Sequence, residues 1–277
     1  MTKIIKRGDT QEVFSPQKLS RSLTLAGAGQ GMIDEIIKAV GKRGENVEST
    51  SQIFHDAFNF IVQTNPTAAA RYSLERGIDS LGPTGFAFEQ FAEHLFRKMG
   101  YQTRRNVFEK GQCATHEIDI KAEDNNEILF IEAKYRNAHN LRTHIDQVMY
   151  ADARGMDIAR HREKNKSQKP GFVLVITNTK FTENATNYAA CRGLRLISWN
   201  CPANENLHEL VYKFKLYPLT TLPAINQKVL GNFTSRGVIL LQDLLQYTQN
   251  DLEKEFGIPA NRARKIMQEL SLFLDVF

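Results

Sequence analysis

Residues 116–136 read HEIDIKAEDNNEILFIEAKYR, and this stretch decides how the central part of the chain is interpreted. Its two segments of alternating apolar and polar residues predict two β-strands. Residues 124–126, Asp-Asn-Asn, favour a tight turn between them. The alternation places Ile118 and Ile120 on one face of the first strand and Asp119 on the other. The stretch therefore predicts an antiparallel hairpin with a polar face.

The polar face of this hairpin predicts a site for a metal ion. Glu132 and Lys134 share one face of the second strand, so Asp119 on the first strand is expected to lie near both. Two converging carboxylates repel each other unless a cation sits between them. Ligands that are all oxygen suit a hard cation such as Mg²⁺. The neighbouring lysine can orient an attacking water and counter charge on a phosphate.

Asp119, followed after a gap by Glu132-Ala133-Lys134, resembles the D…(D/E)-x-K core of restriction-endonuclease-like nucleases, the PD-(D/E)xK superfamily. The resemblance is greatest to the Mrr-like branch, runs from about residue 85 to residue 202, and includes the tail VLVITNTKFTENATNYA…GLRLISW. It implies a central mixed β-sheet flanked by helices. It also implies Mg²⁺ or Mn²⁺ as cofactor, with Asp119 and Glu132 as metal ligands and Lys134 as a catalytic residue. The alternative is a solvated hairpin edge on which these charges only keep the protein soluble.

Glu89 is a fourth candidate for the same site. It lies on a predicted helix whose buried face carries Phe88, Phe91 and Leu95. In Mrr-like and related nucleases a glutamate on this first helix often joins the metal cluster. The alternative is an ordinary solvent-facing glutamate.

Residues 1–80 are expected to form a separate small α+β domain. Two short strands precede a helix that Ser15 caps and Pro16 begins, and three further helices follow. The segments IIKRGDTQEVFSPQKLSRSL and ARYSL resemble the ATP-cone, a module that binds ATP or dATP as an allosteric effector. By that resemblance the nucleotide-binding residues are Lys6, Arg7, Glu12, Lys18 and Thr50. A cone that serves only packing or dimerisation is the alternative.

Two basic segments could contact DNA. Residues 160–169 are interpreted as a basic loop that follows a helix ending near residue 156; the loop is either simply solvated or bound to the DNA backbone. Residues 217–277 are expected to form a small all-α module. Within it, the pattern around Gly257 resembles the second half of a helix-hairpin-helix, which implies phosphate contacts by Gly257, Arg262 and Lys265. A packing or dimerisation module is the alternative.

The bulk properties agree with a multidomain α/β protein. The chain has 277 residues, a net charge of +5 and three scattered cysteines, and it contains neither an apolar run of transmembrane length nor a signal-peptide core. We therefore expect a cytoplasmic protein with domains at 1–80, 81–216 and 217–277, no membrane contact, and double-stranded DNA as partner. The mild basic excess suits a polyanion.

Together these patterns predict a metal-dependent DNA endonuclease, regulated by ATP or dATP as nucleotide effector and acting in restriction or repair. A homodimer is compatible with this prediction. The rival hypothesis is a catalytically silent, nucleotide-sensing DNA-binding protein. The presence of all three of Asp119, Glu132 and Lys134 favours the enzyme, because a silent protein does not need all three. Cleavage of RNA ranks last, since the sequence carries no RNA-recognition signature.

Overall fold

The computed structural model describes residues 3–5, 11–41, 48–82, 84–137, 141–166 and 169–274. Within these ranges no helix is both long and apolar enough to cross a membrane. The chain divides into two compact units. The first consists of Met1–Gly77, Leu219–Asn226 and Leu244–Phe277, and the second of Ile78–Pro218 and Gln227–Asp243. The C-terminal segment thus contributes to both units, and the three-domain division stays a prediction.

The first unit begins with three short strands and four helices. They are β1 (Lys3–Ile5), β2 (Gln11–Val13), α1 (Pro16–Leu25), α2 (Gln30–Gly41), β3 (Glu48–Ser49), α3 (Thr50–Thr64) and α4 (Pro66–Asp79). The order in the sheet is β2-β1-β3, with β1 antiparallel to β2 and parallel to β3. As predicted, the Ser15 side chain accepts a hydrogen bond from the Lys18 N–H and Pro16 begins α1. The hairpin and four helices match the expected layout, whereas β3 is too short and polar to be seen in the sequence.

The second unit carries the central sheet and the helices around it. Its elements are α5 (Phe86–Lys98), β4 (Gln102–Lys110), β5 (Thr115–Glu123), β6 (Ile128–Lys134), β7 (Arg142–Thr143), α6 (Ile145–Lys164), β8 (Gly171–Thr177), β9 (Lys180–Phe181), α7 (Glu183–Arg192), β10 (Arg195–Ile197), α8 (Leu207–Phe214) and α9 (Gln227–Thr234). The sheet order is β10-β8-β6-β5-β4, and β7 pairs with β9 in a separate two-stranded sheet. β4, β5 and β6 pair antiparallel, while β6, β8 and β10 pair parallel. The expected mixed sheet flanked by helices is therefore confirmed.

The predicted hairpin is formed by β5 and β6. Asp124 makes the turn because its Oδ1 accepts hydrogen bonds from the N–H groups of Asn126 and Glu127, both at 2.8 Å. β6 lies in the middle of the sheet, and its residues Ile128–Ala133 are all buried. A central strand in this position presents both faces to packed layers, so its charged residues must find partners inside the protein.

The basic run after residue 156 belongs mostly to a helix. α6 continues to Lys164, so Arg160 and Arg162 lie in its last turns and not in a loop, as the sequence had suggested. The sequence from Met156 onward contains no glycine or proline before Pro170, so nothing local ends the helix earlier.

The last helices belong to the first unit. α10 (Gln249–Lys254) begins with a capping box at Thr248 and Asp251, and α11 (Ala260–Ser271) follows after a short loop. Gly257 lies in that loop with φ +63°, a conformation that glycine adopts without penalty. The two helices pack against each other, and the helix-hairpin-helix stays a prediction.

Candidate active site

The hairpin brings Glu132 and Lys134 together at the C-terminal end of β6. Lys134 Nζ donates a hydrogen bond to Glu132 Oε1, and Arg154 Nη1 on α6 donates to Glu132 Oε2 at 2.6 Å. On the neighbouring strand, Asp119 Oδ2 accepts the N–H of Ala133 at 2.8 Å. Three of the four residues predicted for this site are thus linked within two strands.

The end of β6 is fixed by buried hydroxyl groups on the next strand. Thr177 lies opposite Lys134 in the β6–β8 ladder, and its Oγ1 donates to the Lys134 carbonyl at 2.7 Å. Thr143 and Thr179, also buried, lie within 3.2 Å of that hydroxyl. Thr177 and Thr179, which follow residues 173–176, therefore fix the position of the Lys134 backbone.

Asn106 faces Asp119 across the β4–β5 ladder, and there the alternation of the strands is interrupted. Arg105 pairs with Ile120 and Val107 with Ile118, but the two residues between them form no ladder pair, and Asn106 has φ +51°. An asparagine tolerates this left-handed conformation better than most residues.

This interruption changes which face of the sheet the side chains of β5 lie on. Ile120 pairs with Ile131, whereas Ile118 packs with Phe130, the residue before Ile131, and with Ile158 of α6. Since neighbouring residues of a strand point to opposite faces, Ile118 and Ile120 lie on different faces. The expectation that both share one face was therefore wrong, because the alternation of β5 breaks at Asp119, the position at which β4 and β5 form no ladder pair.

The electrostatics of the site reflect crowded carboxylates. Burial raises the pKa of Asp119, and repulsion from Glu132 raises it further, although the Ala133 N–H, Lys134 and Arg154 act in the opposite direction. Burial also raises the pKa of Glu89 on α5, with a further contribution from Asp119. Glu89 is therefore close enough to the pair to feel its charge.

The donor set fits a hard divalent cation that keeps part of its water shell. Among the residues that the structure describes, no group of three or more His, Cys, Asp and Glu side chains has the arrangement of a complete metal cage. Mg²⁺ commonly needs only one or two carboxylates and takes its other ligands from water and substrate phosphate. Asp119 and Glu132 supply such a pair, and burial followed by repulsion from Glu132 raises the pKa of Asp119.

Arg154 is a member of the site that the sequence did not reveal. Its side chain is 12% exposed and that of Glu132 is 7% exposed, so the ion pair is almost out of solvent. α6 comes this close to the sheet at Gly155, where an added Cβ would lie 2.1 Å from Val173 Cγ2. The spacing of Arg154 from the E-x-K motif carries no signal, because its contact depends on how α6 packs.

Arg105 and Glu93 were also missed. Glu93 on α5 is 6% exposed and accepts hydrogen bonds from Arg105 Nε at 2.8 Å and from Arg97 Nη2 at 2.7 Å. Arg105 in turn lowers the pKa of Glu89. A network of arginines and glutamates therefore supports the α5 side of the site.

The residues predicted to bind nucleotide are only partly described. Lys6 and Arg7 lie outside the described residues, and of Glu12 only the backbone is described, in β2. Lys18 is exposed in the first turn of α1, and Thr50 is half-buried at the start of α3. A nucleotide site here stays a prediction.

Two residues of the basic segment have structural partners. Lys169 Nζ binds Glu123 Oε1 at 2.6 Å and the Asp124 carbonyl at 2.8 Å, and Arg162 Nη2 donates to the Lys169 carbonyl at 2.8 Å. These two cations therefore hold the turn region of the β5–β6 hairpin. Arg160 remains exposed on α6.

The three residues predicted to contact DNA near the C-terminus lie around the α10–α11 loop. Gly257 has the left-handed conformation already described, and Lys265 is 65% exposed and 4.0 Å from Glu269. Arg262 Nη1 lies 3.4 Å from the Ala224 carbonyl. Lys265 is thus open to a phosphate, and DNA contact by all three stays a prediction.

Comparison with known proteins agrees with this geometry. The sequence model of a family described as restriction endonuclease, the Mrr catalytic domain, matches residues 82–200. A second model, described as AF1548-like, C-terminal, matches residues 217–273. An uncharacterized protein of Archaeoglobus fulgidus is 33% identical over 177 residues, which cover 63% of this chain and 95% of that protein. The crystal structure of AF1548, a protein of unknown function, has a TM-score of 0.58 and 30% identity, covering 68% of this chain and 97% of that one.

Proposed function

Because this chain belongs to the AF1548-like family and carries a restriction-endonuclease domain at residues 82–200, we propose that it is a metal-dependent endonuclease that hydrolyses phosphodiester bonds in DNA. The observation that carries the proposal is the Glu132–Lys134 contact beside Asp119. The matched domain spans all of these residues as well as Glu89. Restriction of foreign DNA and DNA repair are both compatible roles.

Each residue of the site has its own role in the proposed reaction. Asp119 and Glu132 would hold a Mg²⁺ or Mn²⁺ ion, which would supply positive charge next to the scissile phosphate. Lys134 places its ammonium group beside Glu132, where it can orient the attacking water and stabilise the charge that builds up on the phosphate. Glu89, whose pKa is raised by burial and by the charge of Asp119, is the proposed further acidic residue of the site.

The test is a cleavage assay with plasmid DNA. We expect cleavage with Mg²⁺ or Mn²⁺ and none in EDTA. Asp119→Asn and Glu132→Gln should abolish cleavage while DNA binding measured in EDTA remains. Glu123→Gln is the matched control, because Glu123 lies on the same strand as Asp119 but pairs with Lys169 outside the site. Full cleavage in EDTA would overturn the proposal.

The alternative function is a DNA-binding protein that has lost catalysis. The same assay separates the two, because a silent protein binds DNA and never cleaves it at any metal concentration. The ion pair between Glu132 and Lys134 supports the enzyme, since a binding protein gains nothing from burying a glutamate between two cations.

The proposal extends to regulation by ATP or dATP. It rests on the resemblance of residues 1–80 to an ATP-cone and on the hairpin-plus-four-helix layout of that segment. Titration calorimetry should detect binding of ATP or dATP, and Lys6→Ala with Arg7→Ala should remove it. Binding that is absent, or unchanged in that double variant, would count against a nucleotide effector.

A further inference from the structure

Two exposed aromatic rings lie on the helices that carry Glu89 and Arg154 of the proposed cleavage site. Phe86, at the start of α5, is 43% exposed, and Tyr150 on α6 is 58% exposed. The Arg105 guanidinium carbon lies 5.1 Å from the centre of the Phe86 ring, and that of Arg154 lies 5.2 Å from the centre of the Tyr150 ring. Each ring is thus paired with an arginine that also acts on an acidic residue of the site.

These two pairs differ from the other cation–aromatic pairs in the described part of the chain. The rings of Phe54, Phe130, Phe172 and Phe214 are also covered by a cation, but each of those rings is buried or half-buried. Among the described residues, only Phe86 and Tyr150 combine a nearby cation with an exposed ring, and each cation also acts on an acidic residue of the candidate site. Both rings therefore offer an open face to a ligand beside a positive charge.

Arg105 keeps part of its side chain open to a ligand. Its Nε donates a hydrogen bond to Glu93 at 2.8 Å, while the side chain as a whole is 23% exposed. A phosphate oxygen is an acceptor of the right charge for a guanidinium, and it can approach the exposed part of the group.

We infer that the site takes DNA whose nucleotides are unpaired on both sides of the scissile phosphate, with bases stacked on Phe86 and Tyr150 and a phosphate bound by Arg105. This inference rests on the proposed function and names its substrate class. In an intact duplex the faces of the bases are covered by their neighbours, so an exposed ring finds a base face only where the strand is unstacked. Rings interleaved with cations are the usual features of a surface that binds single-stranded nucleic acid.

The inference is tested by binding without cleavage. Full-length protein in EDTA is titrated into a fluorescein-labelled 30-nucleotide strand without self-complementarity, and into the duplex of the same sequence. The wild type should bind the single strand more tightly. Phe86→Ala and Tyr150→Ala should each raise its Kd about five- to 150-fold, as expected for the loss of one stacked base, and leave the Kd for duplex unchanged.

Three further variants keep the result interpretable. Phe86→Tyr and Tyr150→Phe preserve a stacking ring and should bind like the wild type. Phe60→Ala removes an exposed ring of α3, outside the site, and should have no effect. An equal loss of affinity for single strand and duplex would overturn the inference, because it would mean that the rings wedge into paired DNA.

A failure of this inference can be distinguished from a failure of the proposed endonuclease function. If the protein cleaves duplex DNA and both alanine variants cleave it at the wild-type rate, the substrate inference fails while the endonuclease stands. If no DNA is cleaved but the alanine variants lose single-strand affinity, the endonuclease fails while the single-strand surface stands.

Discussion

Arg154 and Glu132 form a nearly solvent-free ion pair across α6 and β6, with Nη1 2.6 Å from Oε2. Removing one partner of a buried pair typically costs about 3–5 kcal/mol, and Lys134, the other partner of Glu132, keeps the cost at the lower end of that range. We therefore expect Arg154→Ala to lower the free energy of unfolding by about 3 kcal/mol in EDTA, as measured by urea denaturation. Added Mg²⁺ should recover part of the loss, because a divalent cation beside Glu132 replaces the missing charge.

The matched control for this prediction is Arg192→Ala. Arg192 Nε binds Asp152 Oδ2 at 2.8 Å, and Asp152 also lies on α6 and is buried, but neither residue touches the candidate site. Arg192→Ala should destabilise the protein without any recovery by Mg²⁺. Equal recovery in both variants would show that the ion acts elsewhere.

The left-handed backbone conformation of Asn106 leads to a second prediction. Glycine adopts φ +51° freely, whereas a β-branched residue there is strained by about 1–2 kcal/mol. Asn106→Gly should keep wild-type stability and cleavage, and Asn106→Val should lower both, because the strand must shift opposite Asp119. Lys215→Val is the control: Lys215 has φ +54° at the end of α8, so the change should lower stability and leave the single-turnover cleavage rate intact.

The raised pKa of Asp119 predicts how stability depends on pH. Burial, the main cause, and Glu132 make the folded protein hold the Asp119 proton more tightly than the unfolded chain does. The contribution of Asp119 to stability therefore falls as pH rises from its ordinary pKa of about 4 through the raised value. In EDTA, Asp119→Asn should raise the melting temperature by a few degrees at neutral pH, and the gain should shrink as the pH approaches 4.

Asp146, whose pKa is shifted in the opposite direction, provides the comparison. The Gln147 side chain lowers the pKa of Asp146 through a hydrogen bond, so Asp146 contributes stability above its ordinary pKa and loses it as the pH falls. Asp146→Asn should therefore lower the melting temperature at neutral pH. If both asparagine variants shift it in the same direction, the charges of the carboxylate pair do not control the effect.

Lys134 and Lys265 should separate catalysis from binding. Lys134→Ala should reduce the single-turnover rate about 100- to 1,000-fold, because its charge acts in the transition state, while DNA affinity changes little. Lys265→Ala should weaken binding and flatten its salt dependence, with the rate at saturating DNA preserved. Gel shifts run beside single-turnover assays measure both. A Lys134→Ala variant with the wild-type rate would contradict the assigned role.

The sequence was sufficient for the parts of the site that depend on local patterns. The alternation in residues 116–136 and the turn at Asp124 predict β5 and β6, and the E-x-K spacing places Glu132 and Lys134 side by side. The continuous apolar run of residues 172–177 likewise predicts β8. These features follow from the period of a strand and from turn chemistry, which act within a few residues.

The features that were missed depend on packing between distant segments. Arg154 reaches Glu132 only because Gly155 lets α6 approach Val173. Asn106 has a positive φ inside β4, at a position where the pattern of the strand predicts ordinary extended backbone. Both follow from tertiary contacts, which outweigh local preference and are not encoded in spacing.

The division of the chain into two compact units affects the order in which the parts of the second unit can form during synthesis. The chain passes between the two units after Gly77, Pro218, Asn226 and Asp243. The last segment of the second unit, Gln227–Asp243, contains the buried Phe233. The carbonyl of Thr234 in this segment accepts a hydrogen bond from Gln90, the residue beside Glu89. During synthesis, which proceeds at about 5–20 residues per second, the sheet with Asp119 and Glu132 leaves the ribosome well before this segment. Helix α5 lacks that support until the segment around residue 234 has emerged, so a nascent chain has the hairpin with Asp119 and Glu132 before the second unit is complete.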